Sequence, residues 1–184
     1  MVWSTLGSVR PGGWGSAADR SGGRSAAEVV LRPARPDQLP EVLALLEEAS
    51  AWLRGRGITT QWPERFNPAS LEPAIARTET WLVLLGGTIA GTTTLTWSDP
   101  LWADVGGHAG YVHRLATRRG GPGLGAVVLA WAADVTRRFG RRSLRLDCAA
   151  DNPGLREYYE KAGFTDRGDT THNGTTVTRY ELPL

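Results

Sequence analysis

Apolar side chains recur along residues 28–184 with two different periods, and the switches between those periods predict the elements. Val42, Leu45, Leu46, Ala49 and Leu53 fall at helical spacing, so a helix opening at Pro36 and Asp37 buries one face. Proline is tolerated in a first turn, and an acidic side chain suits the positive end of a helix. The RGRG run at 54–57 stops it. Val128, Leu129, Ala132 and Val135 mark a long helix over 125–139. Shorter helices are predicted over 68–78 and 152–162, the latter ended by Gly163 where a left-handed residue is favoured. Apolar or alternating runs predict strands at 29–31, 81–85, 89–97, 109–117, 143–148, 164–167 and 177–182. Gly86-Gly87 and Asn173-Gly174 supply the positive φ of tight hairpin turns. Two polar loops, 58–67 with Trp62 and 98–107 with Trp102, interrupt the order.

Residues 1–27 carry Gly, Ser and Arg with no apolar period. Such a segment buries too little surface to offset its ordering entropy, so a mobile tail is expected before a domain over 28–184. A chain of 184 residues is read as one domain with room for a core. Its 41% apolar and 22% charged residues are ordinary for a soluble protein. A net charge of +2 argues against general nucleic-acid binding, despite arginine clusters at 114, 118 and 119 and at 137, 138, 141 and 142. No apolar run is long enough for a transmembrane helix, and no secretory pattern opens the chain. No membrane association is expected, and a cytoplasmic location is the simplest expectation. One cysteine, Cys148, excludes an intramolecular disulfide framework, and His108, His113 and His172 lack metal-ligand spacing. No metal is expected.

The chemistry begins at 118–125, RRGGPGLG, which lies after a strand and before a helix. A helix N-terminus leaves backbone N–H groups without partners and carries partial positive charge. Glycines let a phosphate approach those donors, and Arg118 and Arg119 add charge there. The same glycines also suit a plain strand-to-helix turn. A Walker A loop is excluded, because Ala126 and Val127 stand where Lys and Ser or Thr are needed. Gly121, Gly123 and Ala126 match G-x-G-x-x-A, and Asp147 ends the next strand, so a nicotinamide-nucleotide reading stays open. Against it, too little chain follows for a second βαβ half, and the preceding hairpins suit a mixed, largely antiparallel sheet.

From Tyr111 to Phe164 the chain resembles the GNAT superfamily of N-acetyltransferases. YVHRLA at 111–116 resembles the fourth strand, and GGPGLGAVVL at 120–129 the pyrophosphate loop and its helix. LRLDCAADNPGLREYYEKAGF at 144–164 resembles the fifth strand and the helix after it. The most distinctive piece is N-x-x-x-x-x-x-Y-x-x-x-G-F, starting at Asn152. The loop admits two registers. Gly123 and Gly125 on the motif glycines put Gly120 where Gln or Arg is usual; Gly121 and Gly123 recover Arg118 but shift the helix start.

The resemblance implies one mixed α/β (α+β) domain with a central, largely antiparallel sheet. About four helices would flank it, and its fourth and fifth strands would splay around acetyl-CoA. It implies direct acetyl transfer to a primary amine of a small molecule or peptide, in a monomer or homodimer. By the same resemblance His113, Leu115, Arg118, Arg119, Gly120, Gly121, Gly123, Leu124, Gly125 and Asn152 hold the cofactor. The Leu115 N–H would polarise the thioester, Asn152 would bond the pantetheine, and Tyr159, not Tyr158, would protonate the departing thiolate. Cys148 is then a small buried residue and no nucleophile.

The acceptor side is less determined. Asp99, Asp104 and Glu64 are either candidates for the amine's proton or ordinary loop carboxylates. His113 is either a base or a structural histidine. Trp52, Trp62, Trp97 and Trp102 either fill the core or wall an aromatic acceptor pocket, with Trp62, Asp99 and Trp102 as its candidates. A non-catalytic acyl-CoA-binding sensor is the main alternative function.

Overall fold

The computed structural model describes residues 27–119, 123–172 and 174–184. The expected tail therefore lies outside the described residues except for Ala27, as do Gly120, Gly121 and Asn173. The elements run β1 (Val29–Pro33), α1 (Leu39–Arg54), α2 (Glu72–Ala76), β2 (Thr80–Leu85), β3 (Thr88–Thr96) and β4 (Ala109–Thr117). Next come α3 (Leu124–Arg138), β5 (Ser143–Ala149), α4 (Pro153–Lys161), β6 (Thr165–His172) and β7 (Thr175–Pro183). Among the described residues seven strands form one sheet in the order β1-β2-β3-β4-β5-β7-β6. Every pairing is antiparallel except β4 with β5. A single parallel pair leaves no repeated βαβ half, which removes the structural basis for a dinucleotide fold.

Strand alternation decides which helices cover which face. Trp81 and Val83 join Leu95, Val112, Leu144, Leu146 and Cys148 beneath the apolar stripe of α3. Leu82, between them, joins the other cluster with Val42, Leu45 and Leu46 of α1 and Ile75 of α2. Most elements match the sequence pattern, with two differences. The helix expected over 68–78 is a 3-10 turn, Pro68–Ser70, followed by only five α residues. Prolines at 68 and 73 each set a new first turn, and Thr78 leaves with φ 62°. The closing strands are longer than their apolar runs, because β6 is an exposed strand whose pairing does not need buried side chains.

One feature of the sheet positions everything that follows. β4 and β5 pair only at Ala109–Ser143, Gly110–Leu144 and Tyr111–Arg145, then diverge. The expected splay of the fourth and fifth strands is present. β4 also slips register against β3 between Thr92 and Thr94, opposite Arg114, whose φ is 51°. A bulge of this kind bends its strand and re-aims a side chain.

Candidate active site

The fork between β4 and β5 opens into a cleft of about 1540 Å³. Its walls come from α1, the loop with Gln61, Trp62 and Phe66, the open half of β4, and the side chains of Asp99, Asp147, Leu155, Tyr159 and His172. The 58–67 loop is pinned across one end. The Ala149 N–H donates to Gln61 Oε1 at 2.9 Å, Ser50 Oγ to the Pro63 carbonyl at 2.7 Å, and Thr60 Oγ1 to Asp151 Oδ1 at 2.5 Å.

Tyr159 enters from the α3–α4 side. Asn152 caps α4, its Oδ1 accepting from the Leu155 N–H at 3.2 Å, so Leu155 and Tyr159 sit one turn apart on the same face. Tyr159 is 7% exposed. Its ring packs at 5.9 Å from Phe164 and 5.8 Å from Tyr180. Burial, with smaller repulsion from Cys148, Tyr158 and Asp147, raises its pKa above that of an ordinary phenol. It is therefore a protonated donor at neutral pH. Tyr158 goes elsewhere, over the first turn of α3. A Cβ on Gly125 would come within 2.7 Å of its hydroxyl, so any larger residue there would have to displace the Tyr158 ring.

Polar groups converge from the α1–α2 side. One ligand-capable atom from each of Asp99, His113 and Asp147 lies within 4.8 Å of the others. Asp99 caps a 3-10 turn through Oδ1, accepting from the Leu101 N–H at 2.9 Å. Its Oδ2 lies 3.8 Å from His113 Nε2. Thr96 Oγ1 donates to the Ser98 carbonyl and lies 3.1 Å from the same Nε2. A hydroxyl has one proton to give, so Nε2–H is assigned as the donor in that contact. Burial lowers the His113 pKa against the pull of Asp99, leaving a neutral imidazole and making the Asp99 contact a dipolar one. Asp147 is pushed up to about 6, first by burial and then by Asp99, with His172 acting in the opposite direction.

The residues expected at the cofactor divide by role. Leu115, Arg118 and Arg119 line the cleft with His113. Arg118 is already engaged, its guanidinium donating to both Glu48 oxygens at 3.0 and 2.9 Å. The Arg119 guanidinium stacks 4.2 Å from the Trp52 ring centre. Gly123 is the N-cap of α3 with φ 83° and no side-chain cap. Leu124 is buried in the core, so only its backbone is available to a ligand. Asn152 is 2% exposed and does not line the cleft, yet its Nδ2 is buried without a partner among the described residues. Beyond Tyr111, the edge of β4 facing β5 has no strand partner. Cys148 is fully buried and pushed up to about 12, first by burial, which rules out a thiolate nucleophile.

Of the acceptor candidates, Trp62 and Asp99 are in the cleft and Trp102 is not. Trp102 is 1% exposed, with the Arg145 and Arg179 guanidiniums 4.8 and 5.2 Å from its ring centre. The 3-10 turn capped by Asp99 carries it away from the fork. Asp104 leaves the same way and pairs with Arg179 at 2.7 Å, and Glu64 does not line the cleft. Sequence reasoning missed Asp147 as a site residue. Its signal was available: a carboxylate alternating with Leu144, Leu146 and Cys148 in a strand leading to the cofactor-side helix.

Residues 46–164 match the model of the Acetyltransferase (GNAT) family. The chain is 30% identical over 147 residues to the uncharacterized N-acetyltransferase YesJ of Bacillus subtilis strain 168, covering 74% of this chain and 81% of that protein. A GNAT family acetyltransferase from Listeria monocytogenes 4b F2365 superposes with a TM-score of 0.71 at 25% identity, covering 87% of this chain and 98% of that one. The acetyltransferase YncA of Salmonella typhimurium, solved with its cofactor acetyl-CoA, shares the fold at 15% identity and a TM-score of 0.62, over 85% and 94% of the two chains. Together with the forked sheet, these matches show that the chain belongs to the GNAT family of acetyltransferases.

Proposed function

We propose that the protein transfers the acetyl group of acetyl-CoA directly to the primary amine of a small molecule or peptide, with Tyr159 as the general acid. The observation that carries this is a neutral phenol in the wall of the fork. It has no hydrogen-bond partner among the described residues and lies where the two strands stop pairing. The chain's own groups fit acetyl-CoA. The unpaired edge of β4 offers backbone donors and acceptors to the pantetheine amides. The α3 N-terminus, without a side-chain cap among the described residues, offers N–H groups and partial positive charge to the diphosphate. Asn152 Nδ2, buried behind the cleft wall at the start of α4, is an unpartnered donor among the described residues that pantetheine would reach only if that wall shifts.

Holding amine and thioester together supplies much of the rate by orientation. A backbone N–H of the β4 bulge, that of Leu115 in our reading, polarises the thioester carbonyl. Tyr159 gives its proton to sulfur as the carbon–sulfur bond breaks. Coupling the two events is necessary because the buried phenol is a weaker acid than a thiol.

Tyr159→Phe tests this. Thiol release with an accepted amine should fall about 10²–10⁴-fold in kcat, with acetyl-CoA affinity unchanged by calorimetry. An unchanged kcat removes Tyr159 from the role. Tight acetyl-CoA binding with no turnover across a broad amine panel would favour the sensor reading.

A further inference from the structure

Two half-buried charges of opposite sign line the cleft without an ion pair among the described residues. Asp147 has no hydrogen bond or ion pair among the described residues, and no arginine contributes to its pKa. Arg114 donates only to the Ser70 carbonyl, at 3.3 Å. Burial alone lowers its pKa, with no carboxylate acting on it. Four other arginines are paired with carboxylates, Arg118 with Glu48, Arg145 with Glu181, Arg156 with Asp166 and Arg179 with Asp104. Arg54 and Arg141, outside the cleft lining, donate to carbonyls, and Arg119 stacks on Trp52. Buried charges are ordinarily paired because desolvation is costly. Two left open in one cleft, and not paired with each other, mark the places where a ligand brings the missing charges.

Their placement is specific. The β4 bulge turns Arg114 toward the Pro68–Ser70 turn before α2, on the side opposite α4. Its charge is felt at His113, which belongs to the Asp147 cluster. Tyr159 reaches the fork from the other side of the sheet. We propose that the acceptor is an amino acid or a similarly compact zwitterion, its carboxylate on Arg114 and its ammonium on Asp147, which takes the proton leaving the nitrogen. This rests on the acetyl-transfer reading above.

The ammonium gives one proton to an Asp147 oxygen, and the freed lone pair forms the carbon–nitrogen bond. The carbon–sulfur bond breaks with its electrons on sulfur, which takes the Tyr159 proton. The second nitrogen proton, lost as the amide forms, restores the phenol by way of solvent. Asp147 releases its own proton to water, so one proton leaves per amide made. The groups around Asp147 are Asp99 and His113 of its cluster, His172 of β6, Tyr159 of α4 and its neighbour Cys148, with Arg114 acting on His113. A carboxylate at about 6 is mostly ionised at neutral pH yet basic enough to accept a proton there.

The test uses matched pairs, each an amino acid and its decarboxylated amine, such as phenylalanine with phenethylamine and lysine with cadaverine. The wild-type kcat/KM should favour the amino acid by about 100-fold or more, as expected for a buried charge left unpaired by the amine. Arg114→Gln should bring that ratio close to one, with acetyl-CoA affinity and melting temperature unchanged, and Arg114→Lys should restore part of it. Asp147→Asn should lower kcat about 100-fold on both members and remove the acidic limb of the pH profile. Equal or better use of the amine by the wild type overturns the proposal, as does an Arg114→Gln defect in acetyl-CoA binding. If Tyr159→Phe is inert while Asp147→Asn is normal, acetyl transfer stands and this assignment falls. Should no pair turn over, calorimetry of the amino acids against the CoA complex decides. Binding lost in Arg114→Gln supports the seat, and absence of binding to the wild type overturns it.

Discussion

Arg145 and Asp147 stand two residues apart on the same face of β5, and their surroundings could hardly differ more. Arg145 lies where β4 and β5 still pair. Its guanidinium donates to Glu181 at 2.8 Å, to the Gly106 carbonyl at 2.7 Å and to Tyr111 Oη at 3.2 Å, and it stacks on Trp102. Burial pushes Glu181 up, but hydrogen bonds from Arg145 and Ser143 outweigh this and hold it below the usual carboxylate value. Asp147 lies where the strands have parted and has none of these partners. The closed end of the fork neutralises its charges within the protein. The open end keeps its charges unsatisfied, which costs stability and leaves them available to substrate.

The closed end is the more sensitive of the two to mutation. Arg145→Ala leaves Glu181 with Ser143 and with Arg167, 2.9 Å away, and should destabilise the fold by about 3 kcal/mol. That is roughly a 10 °C fall in melting temperature for a domain of this size. A fall of under about 2 °C would show that the closed end is not held by its ion pairs.

At the open end the sign reverses. The folded pKa of Asp147, about 6, lies above its unfolded value of 3.8. The native state therefore binds the proton more tightly, and this residue's contribution to stability falls as pH rises from the unfolded value through the folded one. Asp147→Asn should be more stable than wild type by on the order of 2 kcal/mol at pH 7. That advantage should vanish toward pH 4 in urea melts recorded across the range. An asparagine variant less stable at every pH would mean that the carboxylate is supported by contacts of its own.

Smallest is the effect of Arg118→Ala. This pair with Glu48 has both side chains about half exposed, so its loss should shift stability by less than about 1 kcal/mol. A larger shift in the thermal melt would make that pair part of the frame holding β4 open.

Most of the fold was legible in the sequence because local periodicity and punctuation agree. The stripes of α1 and α3, the glycine pair between β2 and β3, and the strand at 109–117 all report short-range constraints. Where prolines broke the period at 68 and 73, the sequence suggested one helix and the chain made a 3-10 turn and a short helix. The site was legible in part: the spacing from Asn152 to Phe164 singles out Tyr159, and His113 and Leu115 of β4 line the cleft with Trp62 and Asp99. Asp99 and Trp102 lie in one short loop, and nothing local shows that one turns into the cleft and the other under Arg145.

The sequence by itself therefore determined the elements, the register of α4 and the residue offered as acid, since each depends on neighbours a few positions away. Tertiary structure alone decided which carboxylates face the cleft, that Arg118 is held by Glu48, and that Asp147 and Arg114 have no ion pair among the described residues. Those outcomes depend on where β4 and β5 cease to bond, and that is set by a bulge and by packing from opposite faces of the sheet. Such contacts join residues far apart in the chain, so no local pattern encodes them.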